Sequence, residues 1–373
     1  MGALMKPILS ICVAVYNIRG DFLRECLASV TADRSEDIEI IIGDDCSRED
    51  CAVICREYAA ADSRIKYIRP EKNGGVSVMR NMMIEAAEGG LLTFVDGDDV
   101  VPGDYVSKIR GAVGYDIVMF EVAGFSGRVP GIINPDAKAA AISQQACRDF
   151  SAACLTGAPG HIERYGIKNS TPSSVCNKIF RRDFLIENGL RFVAGLRKSQ
   201  DTVFNTSAYY HCTSLGYLPC TLYYYRKNPT SICNRYSADF DAIMSDCFEC
   251  DRENLAKLYN NDEEMRKKLY KYKLIWIIVD NFRLNIFHAD NPKSRRKRRA
   301  DFQRFIGSEP YRSFFADFDF ENYEWRERRL ILRLAKHKKF AVLDFMYRHP
   351  QSFRLYGGAA NRLARLAKRG KGQ

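Results

Sequence analysis

The densest chemistry in the chain lies in Asp96-Gly97-Asp98-Asp99, directly after the apolar run 91–95. Three carboxylates at D-x-D-D spacing on a strand end repel one another unless a cation lies among them. Hard oxygen ligands spaced in this way suit Mg2+ or Mn2+, which in turn grip phosphate oxygens. The same four letters also describe a plain acidic turn between a strand and a helix, so neighbouring segments must decide.

Three segments upstream fall into step. Residues 8–17 are a continuous apolar run ending in Tyr16-Asn17, and residues 38–47 are another, ending in Asp44-Asp45. Both have the pattern of strands buried on two faces of a parallel sheet. Between them, Phe22, Leu23, Cys26, Leu27 and Val30 recur at helical spacing. In the third segment Gly74-Gly75 lets backbone approach a ligand, and a helix is expected over 77–88, carrying Arg80. Strands alternating with helices, with polar residues at each strand's carboxyl end, predict a doubly wound α/β domain that binds ligands outside those ends.

These segments resemble the nucleotide-sugar half of family 2 glycosyltransferases, which have the GT-A fold, a Rossmann-like mixed sheet. The apolar strand into Tyr16-Asn17, Asp44-Asp45-Cys46-Ser47, Asn73 through Arg80-Asn81, and Asp96-Gly97-Asp98-Asp99 match that family's motifs in order. Further on, Asn177-Lys178-Ile179-Phe180-Arg181-Arg182, Gln200-Asp201-Thr202-Val203-Phe204 and Tyr224-Tyr225-Arg226 with Ser231 are similar to its later motifs, so the resemblance covers about 7–232.

The resemblance implies transfer of a sugar from a nucleotide diphosphate, most simply a UDP-sugar, to a hydroxyl. It makes Asp98 the direct ligand of Mn2+ or Mg2+, with Asp96 as second ligand or reaching donor hydroxyls. Asp99 stands behind them or begins the next turn. Asp201 is the expected general base, acting by single displacement with inversion; the alternative is an Asp favouring the start of a helix. The family's usual Glu is Gln200 here, which cannot share a proton. Tyr16 can stack on a pyrimidine and Asp45 can accept from a uracil N–H, while Asp44 contacts the donor or holds the turn. Arg80 can reach the diphosphate or brace the acids. Lys178, Gln200 and Arg226 are candidate substrate contacts, with structural roles as the alternative.

Composition agrees with an enzyme of this size. The 373 residues, 46% of them hydrophobic, can bury a large core. No apolar run is long enough to span a bilayer, and the stretch before the first strand is shorter than a signal peptide. The 13 cysteines are scattered through expected strands and helices, as free thiols are in a reducing compartment. Cys247 and Cys250 form a C-x-x-C without a second pair at zinc spacing. The net charge of +11 is concentrated in residues 328–373, which hold thirteen Lys/Arg and one acid, Asp344; the rest is nearly neutral. Leu330, Ile331, Leu334, Phe340, Leu343, Tyr347, Phe353, Tyr356, Leu363 and Leu366 recur at helical spacing through that tail. A cationic amphipathic tail suits an anionic membrane surface, which predicts a cytoplasmic enzyme held peripherally at the inner face of the plasma membrane. No nucleic-acid motif accompanies the charge.

The expected organisation is a nucleotide-sugar half over 1–110, an acceptor half over 111–235, and a helical region over 236–373. An Ala-rich helix is expected near 137–155, and the basic run 293–299 between helices. Without the membrane helices and Q-x-x-R-W of polymer-extruding relatives, a single-addition transferase acting on a glycan or lipid-linked acceptor is favoured. Two alternatives remain: a sugar nucleotidyltransferase, which would need a glycine-rich loop where Tyr16–Gly20 stands, and an inactive sugar-nucleotide- or membrane-binding scaffold.

Overall fold

The computed structural model describes residues 6–156, 160–227, 235–320, 323 and 325–349. Ser231 and the tail positions Phe353, Tyr356, Leu363 and Leu366 lie outside the described residues. Eight strands form one sheet: β1 (Leu9–Val15), β2 (Ile38–Asp44), β3 (Ile65–Ile68), β4 (Leu91–Asp96), β5 (Ile117–Phe125), β6 (Ala140–Ile142), β7 (Lys178–Arg181) and β8 (Leu215–Arg226). Their order is β3-β2-β1-β4-β7-β5-β8-β6. The chain divides into two compact units, Met1–Pro229 with Glu249–Asn260, and Thr230–Phe248 with Asn261–Gln373.

The first half of the sheet is parallel from β3 through β4, as the continuous apolar runs require. β1 is buried at six of seven positions and β2 at all seven. The crossover helices are α1 (Gly20–Val30), α2 (Glu49–Ala61) and α3 (Val76–Ala86). α1 buries Leu23, Cys26, Leu27 and Val30, the stripe that its spacing predicts. α3 lies on β2, where a Cβ at Gly43 would meet the Met79 sulfur at 2.5 Å. The chain leaves β1 for β2 on one side and returns on the other as β4, so strand order reverses there. Such a reversal opens a crevice at the strands' carboxyl ends, here Tyr16-Asn17 and Asp96–Asp99.

The rest of this unit completes the sheet in mixed directions. β7 pairs antiparallel with β4 and β5, and β8 runs parallel to β5 with a bulge. The helices here are α4 (Tyr105–Ile109), α5 (Gln144–Thr156), α6 (Gly160–Glu163), α7 (Arg182–Glu187) and α8 (Gln200–His211). The Ala-rich stretch does not form one helix. Ala140–Ile142 instead pairs with β8 as an edge strand, and α5 begins only at Gln144. Alanine's helix preference yields to the hydrogen bonds that an open sheet edge offers.

Helices dominate the remainder: α9 (Phe240–Leu258), α10 (Glu263–Asn281), α11 (Arg295–Gly307), α12 (Tyr311–Asp317), α13 (Arg326–Lys336) and α14 (Phe340–Arg348). The core of the second unit is largely aromatic. Phe287 stacks on Tyr347 at 5.3 Å and meets Phe302 and Phe340 within 6 Å. The basic run 293–299 is not a linker between helices: Ser294 caps α11, and the next five residues form its first turns.

Far from the crevice, β1 and β2 are locked at their opposite ends by a buried carboxylate. Glu39 accepts from Ser10 Oγ at 2.6 Å, Glu88 N–H at 2.6 Å and Gly89 N–H at 3.0 Å. A Cβ at Gly89 would lie 2.6 Å from Ser10 N and 2.7 Å from the Leu9 carbonyl carbon, both backbone atoms that cannot swing away. Gly89→Ala is therefore expected to destabilise the protein by about 1–3 kcal/mol in urea unfolding; unchanged stability would refute this packing.

Candidate active site

β4 ends in a turn that cannot open. Asp99 N–H donates to Asp96 O at 2.9 Å, and Gly97 N–H to Ala14 O at 2.9 Å. A Cβ at Gly97 would meet that same Ala14 oxygen at 3.0 Å, so glycine lets the turn lie against β1. β8 holds the turn from behind. Tyr223 OH donates to Asp99 at 2.6 Å and accepts from Asp96 N–H at 3.1 Å. Arg226 donates its amide to Asp99 at 2.7 Å, its Nε to Asp98 O at 2.7 Å and its Nη2 to Glu25 at 2.6 Å. Asp99 thus points inward. Burial first, then the neighbouring Asp96, pushes its carboxyl up to about 8.

Asp96 and Asp98 differ from Asp99. The Asp96 side chain is 41% exposed. Asp98 makes no salt bridge among the described residues, and burial, then the adjacent Asp96 charge, pushes its pKa up against the opposing pull of its own amide and the Arg226 charge. Two carboxylates at one opening, one of them without a salt bridge among the described residues, are a donor set that fits a hard divalent cation. Mg2+ commonly takes one or two carboxylates, with waters and substrate phosphates completing the shell. Among the described residues no group of three or more His, Cys, Asp or Glu forms a cage without such help.

Arg80 joins this pair to α8. Its guanidinium, 4% exposed, donates to Asp96 at 2.9 Å and to Asp201 at 2.5 Å, a partner 121 residues away in sequence. Phe192 and Phe94 lie beneath it, with centroids at 5.3 and 5.8 Å. Of the two roles open to Arg80, bracing the acids is the one observed. Asp201 stands in the first turn of α8, after Ser199 in a left-handed conformation. Its second oxygen accepts from Val175 N–H at 3.1 Å, and its side chain keeps 29% exposure. Gln200 turns back to the Leu196 carbonyl at 2.8 Å, so its amide serves the helix start.

At the crevice's other wall, Tyr16 is 51% exposed at the end of β1. Asn17, in a left-handed conformation, accepts from Arg48 N–H at 2.8 Å and ties β1 to the start of α2. Asp44 is not a donor contact. It is fully buried beneath Arg69, Tyr67 at 2.7 Å and Ser47 N–H at 2.8 Å. Asp45 accepts from Gly74 N–H, Gly75 N–H and Asn73 Nδ2, each at 2.8 Å, and so shapes the glycine turn ahead of α3.

Two further expectations need correction. Lys178 does not face substrate: it is fully buried, and its ammonium donates to Asn177 Oδ1 at 2.9 Å, Thr171 O at 3.2 Å and Ser174 O. Arg226, also buried, lies over Phe22 and Phe125 and positions the aspartate turn from within. Tyr223 and Glu25 were not foreseen. The run of tyrosines before Arg226 was a signal for the first, but spacing alone does not say which ring points inward; Glu25 had none.

Arg80→Met and Asp201→Asn should be non-additive in stability. A double-mutant cycle in urea is expected to show coupling of about 1 kcal/mol or more; additivity within about 0.3 kcal/mol would rule out the bridge. Lys178 supplies a pH test. Burial pulls its pKa down to about 7, below the unfolded value of about 10.4. The unfolded chain then binds more protons between those values, so stability rises with pH across that window and the gain is lost as pH falls through 7. The melting-temperature difference between wild type and Lys178→Met should move in favour of wild type from pH 6.5 to 9.5. A constant difference would contradict it.

The glycosyl transferase family 2 model matches residues 10–132, which hold β1 through the aspartate turn. EpsH of Bacillus subtilis, named as a glycosyltransferase, is 29% identical over 267 residues, covering 70% of this chain and 73% of EpsH. TuaG of the same organism, named for teichuronic acid biosynthesis, is 35% identical over 103 residues, covering 28% of this chain and 40% of TuaG. Among solved structures, residues 1–349 of S. aureus TarS in complex with UDP-GlcNAc superimpose with a TM-score of 0.58. Identity is 20% and coverage is 92% of each chain, a likeness that establishes the fold. With its motifs gathered at the switch point of a GT-A sheet, the chain matches the glycosyl transferase family 2 model over residues 10–132 and is similar to the glycosyltransferases above.

Proposed function

We propose that the protein is an inverting, metal-dependent, non-processive transferase that moves a sugar from a UDP-sugar to a hydroxyl of a glycan or lipid-linked glycan in cell-surface polysaccharide synthesis. The observation that carries this reading is the single guanidinium, Arg80, shared by Asp96 and Asp201 beside the half-buried Asp98. The UDP-GlcNAc bound by TarS and the teichuronic acid pathway in TuaG's name support the donor and acceptor classes.

Each side chain then has a task. A divalent cation held by Asp98 and Asp96 would, when bound, neutralise the charge that grows on the leaving diphosphate. Tyr16 offers a ring face to the nucleobase. Arg80 aims Asp201, and the aromatic bed of Phe192 and Phe94 limits the guanidinium's movement. Asp201 takes the proton from the acceptor hydroxyl as that oxygen bonds to the anomeric carbon and the nucleotide diphosphate departs. One displacement from the face opposite the diphosphate inverts the anomeric centre. Asp99, Tyr223 and Arg226 keep the turn rigid during this exchange.

A donor panel with Mn2+ tests the reading. Asp201→Asn is expected to lower turnover by roughly 10²–10⁴-fold while the thermal shift caused by UDP and Mn2+ persists. Asp98→Asn should lose both turnover and the Mn2+-dependent part of the shift. If wild type shows neither shift nor hydrolysis nor transfer with any nucleotide sugar, the proposal fails.

A further inference from the structure

The first unit holds a cavity of about 360 Å³, a volume within the range of small-molecule sites. Every residue that lines it belongs to that unit, and Arg80, Asp96, Asp98 and Asp201 are not among them. Three segments build it. Gly189, left-handed at φ 59°, ends α7: its N–H donates to Ile186 O at 3.0 Å, and Leu190 N–H donates to Leu185 O at 2.8 Å. That closing turn places Asn188 through Arg191 along one wall. α8 supplies Phe204, Ser207 and His211, which share a face at i, i+3 and i+7, with Tyr210 beside them. Asn254 and Lys257 come from the part of α9 that belongs to the first unit.

The lining is one-sided in charge. Arg191 and Lys257 are cations, His211 adds an imidazole, and no carboxylate lines the cavity among the described residues. Lys257 is exposed and makes no ion pair among the described residues, and Arg191 reaches Glu85 only at 3.9 Å. His211 and Lys257 each stand in the last turn of a helix, where a cation suits the dipole. The dipoles account for each residue singly, but not for both facing one cavity with Arg191. The rest of the lining is polar and aromatic. The side chains of Ser207 and Asn254 are half-buried and make no hydrogen bond among the described residues. The Tyr210 ring is 43% exposed and meets His211 edge-on at 5.3 Å. A void left by loose packing is apolar, unlike this one.

These groups together select a ligand. A bare anion would use the cations but not the ring and the amide. A neutral sugar would use the ring, hydroxyl and amide but leave the cations unanswered. A sugar that carries a carboxylate or a phosphate uses all of them: its charge takes the charge-assisted bonds, its hydroxyls the polar side chains, and its C–H face the ring. We infer that this cavity binds an acidic saccharide, with Arg191 and Lys257 on its oxyanion, Ser207 and Asn254 on its hydroxyls and Tyr210 against its ring. α8 carries Asp201 in its first turn, and Ser207 to His211 lie about 9–15 Å further along its axis. The cavity is thus a remote subsite for the acceptor glycan, and it rests on the proposed function for that identity alone.

Disaccharides of matched size test it on the full chain by ligand-observed NMR titration: digalacturonate for the carboxylate source, maltose 1-phosphate for the phosphate source, and neutral maltose. At least one acidic disaccharide is expected to bind about tenfold or more tightly than maltose, and the one that binds identifies the source. Lys257→Glu should weaken that binding by about tenfold or more; Lys257→Gln gives the same direction if the Glu variant misfolds. Tyr210→Ala should weaken it as well. The thermal shift caused by UDP and Mn2+ should persist in all of these variants. A wild type that binds the acidic disaccharide yet shows no UDP shift leaves the saccharide site standing and removes the transferase reading. No binding of any disaccharide, equal binding of acidic and neutral ones, or equal binding by wild type and variants overturns the inference. Displacement of the acidic disaccharide by inorganic phosphate at equal concentration also overturns it, and assigns the cavity to a bare anion.

Discussion

One planar cation organises the crevice. Arg80 reaches Asp96 on β4 and Asp201 on α8 at once, which a lysine's single ammonium could not do with the same geometry. Its burial would be costly without two carboxylates, and those carboxylates would repel without it. Each member therefore depends on the others being in place. Phe192 bears on this too: it stacks on Phe204 at 4.1 Å and lies under the guanidinium, linking the packing of α8 to the aim of its first-turn aspartate.

The same logic repeats one layer back. Crowding three aspartates on a turn would destabilise it if all three shared one environment. The fold separates them: Asp99 is turned inward to Tyr223 and the Arg226 amide, Asp96 is given to Arg80, and Asp98 makes no salt bridge among the described residues. Arg226 is held from within, its guanidinium donating to Glu25 and the Asp98 carbonyl. The strength of that restraint comes from its reach. It ties the turn to β8 and α1, so the two carboxylates that face outward are held by elements distant in sequence.

The sheet was legible from its apolar runs, because strands buried on both faces leave little room for any other pattern. The outward-facing site residues were legible in part. Tyr16 stands exposed where a strand ends, and Asp96, Asp98 and Asp201 converge on one opening. Charge within the sheet was misjudged. Lys178 and Asp44 look like surface groups in sequence, yet one ammonium is enclosed by carbonyls and one carboxylate lies beneath Arg69 and Tyr67. A residue's letter states its charge; only the partners brought from other segments state whether that charge can be buried.

By itself, the sequence determined the alternation of strands and helices, the place where strand order reverses and the chemical character of the residues there. Local preferences and hydrophobic periodicity act over a few residues, and they suffice for that much. Which of three adjacent aspartates turns inward, that Arg80 braces rather than floats, and that five cations begin α11 instead of joining two helices were decided by tertiary structure. Those outcomes depend on hydrogen bonds and ion pairs between segments up to about two hundred residues apart, such as Arg226 with Glu25, whose distance no local pattern records.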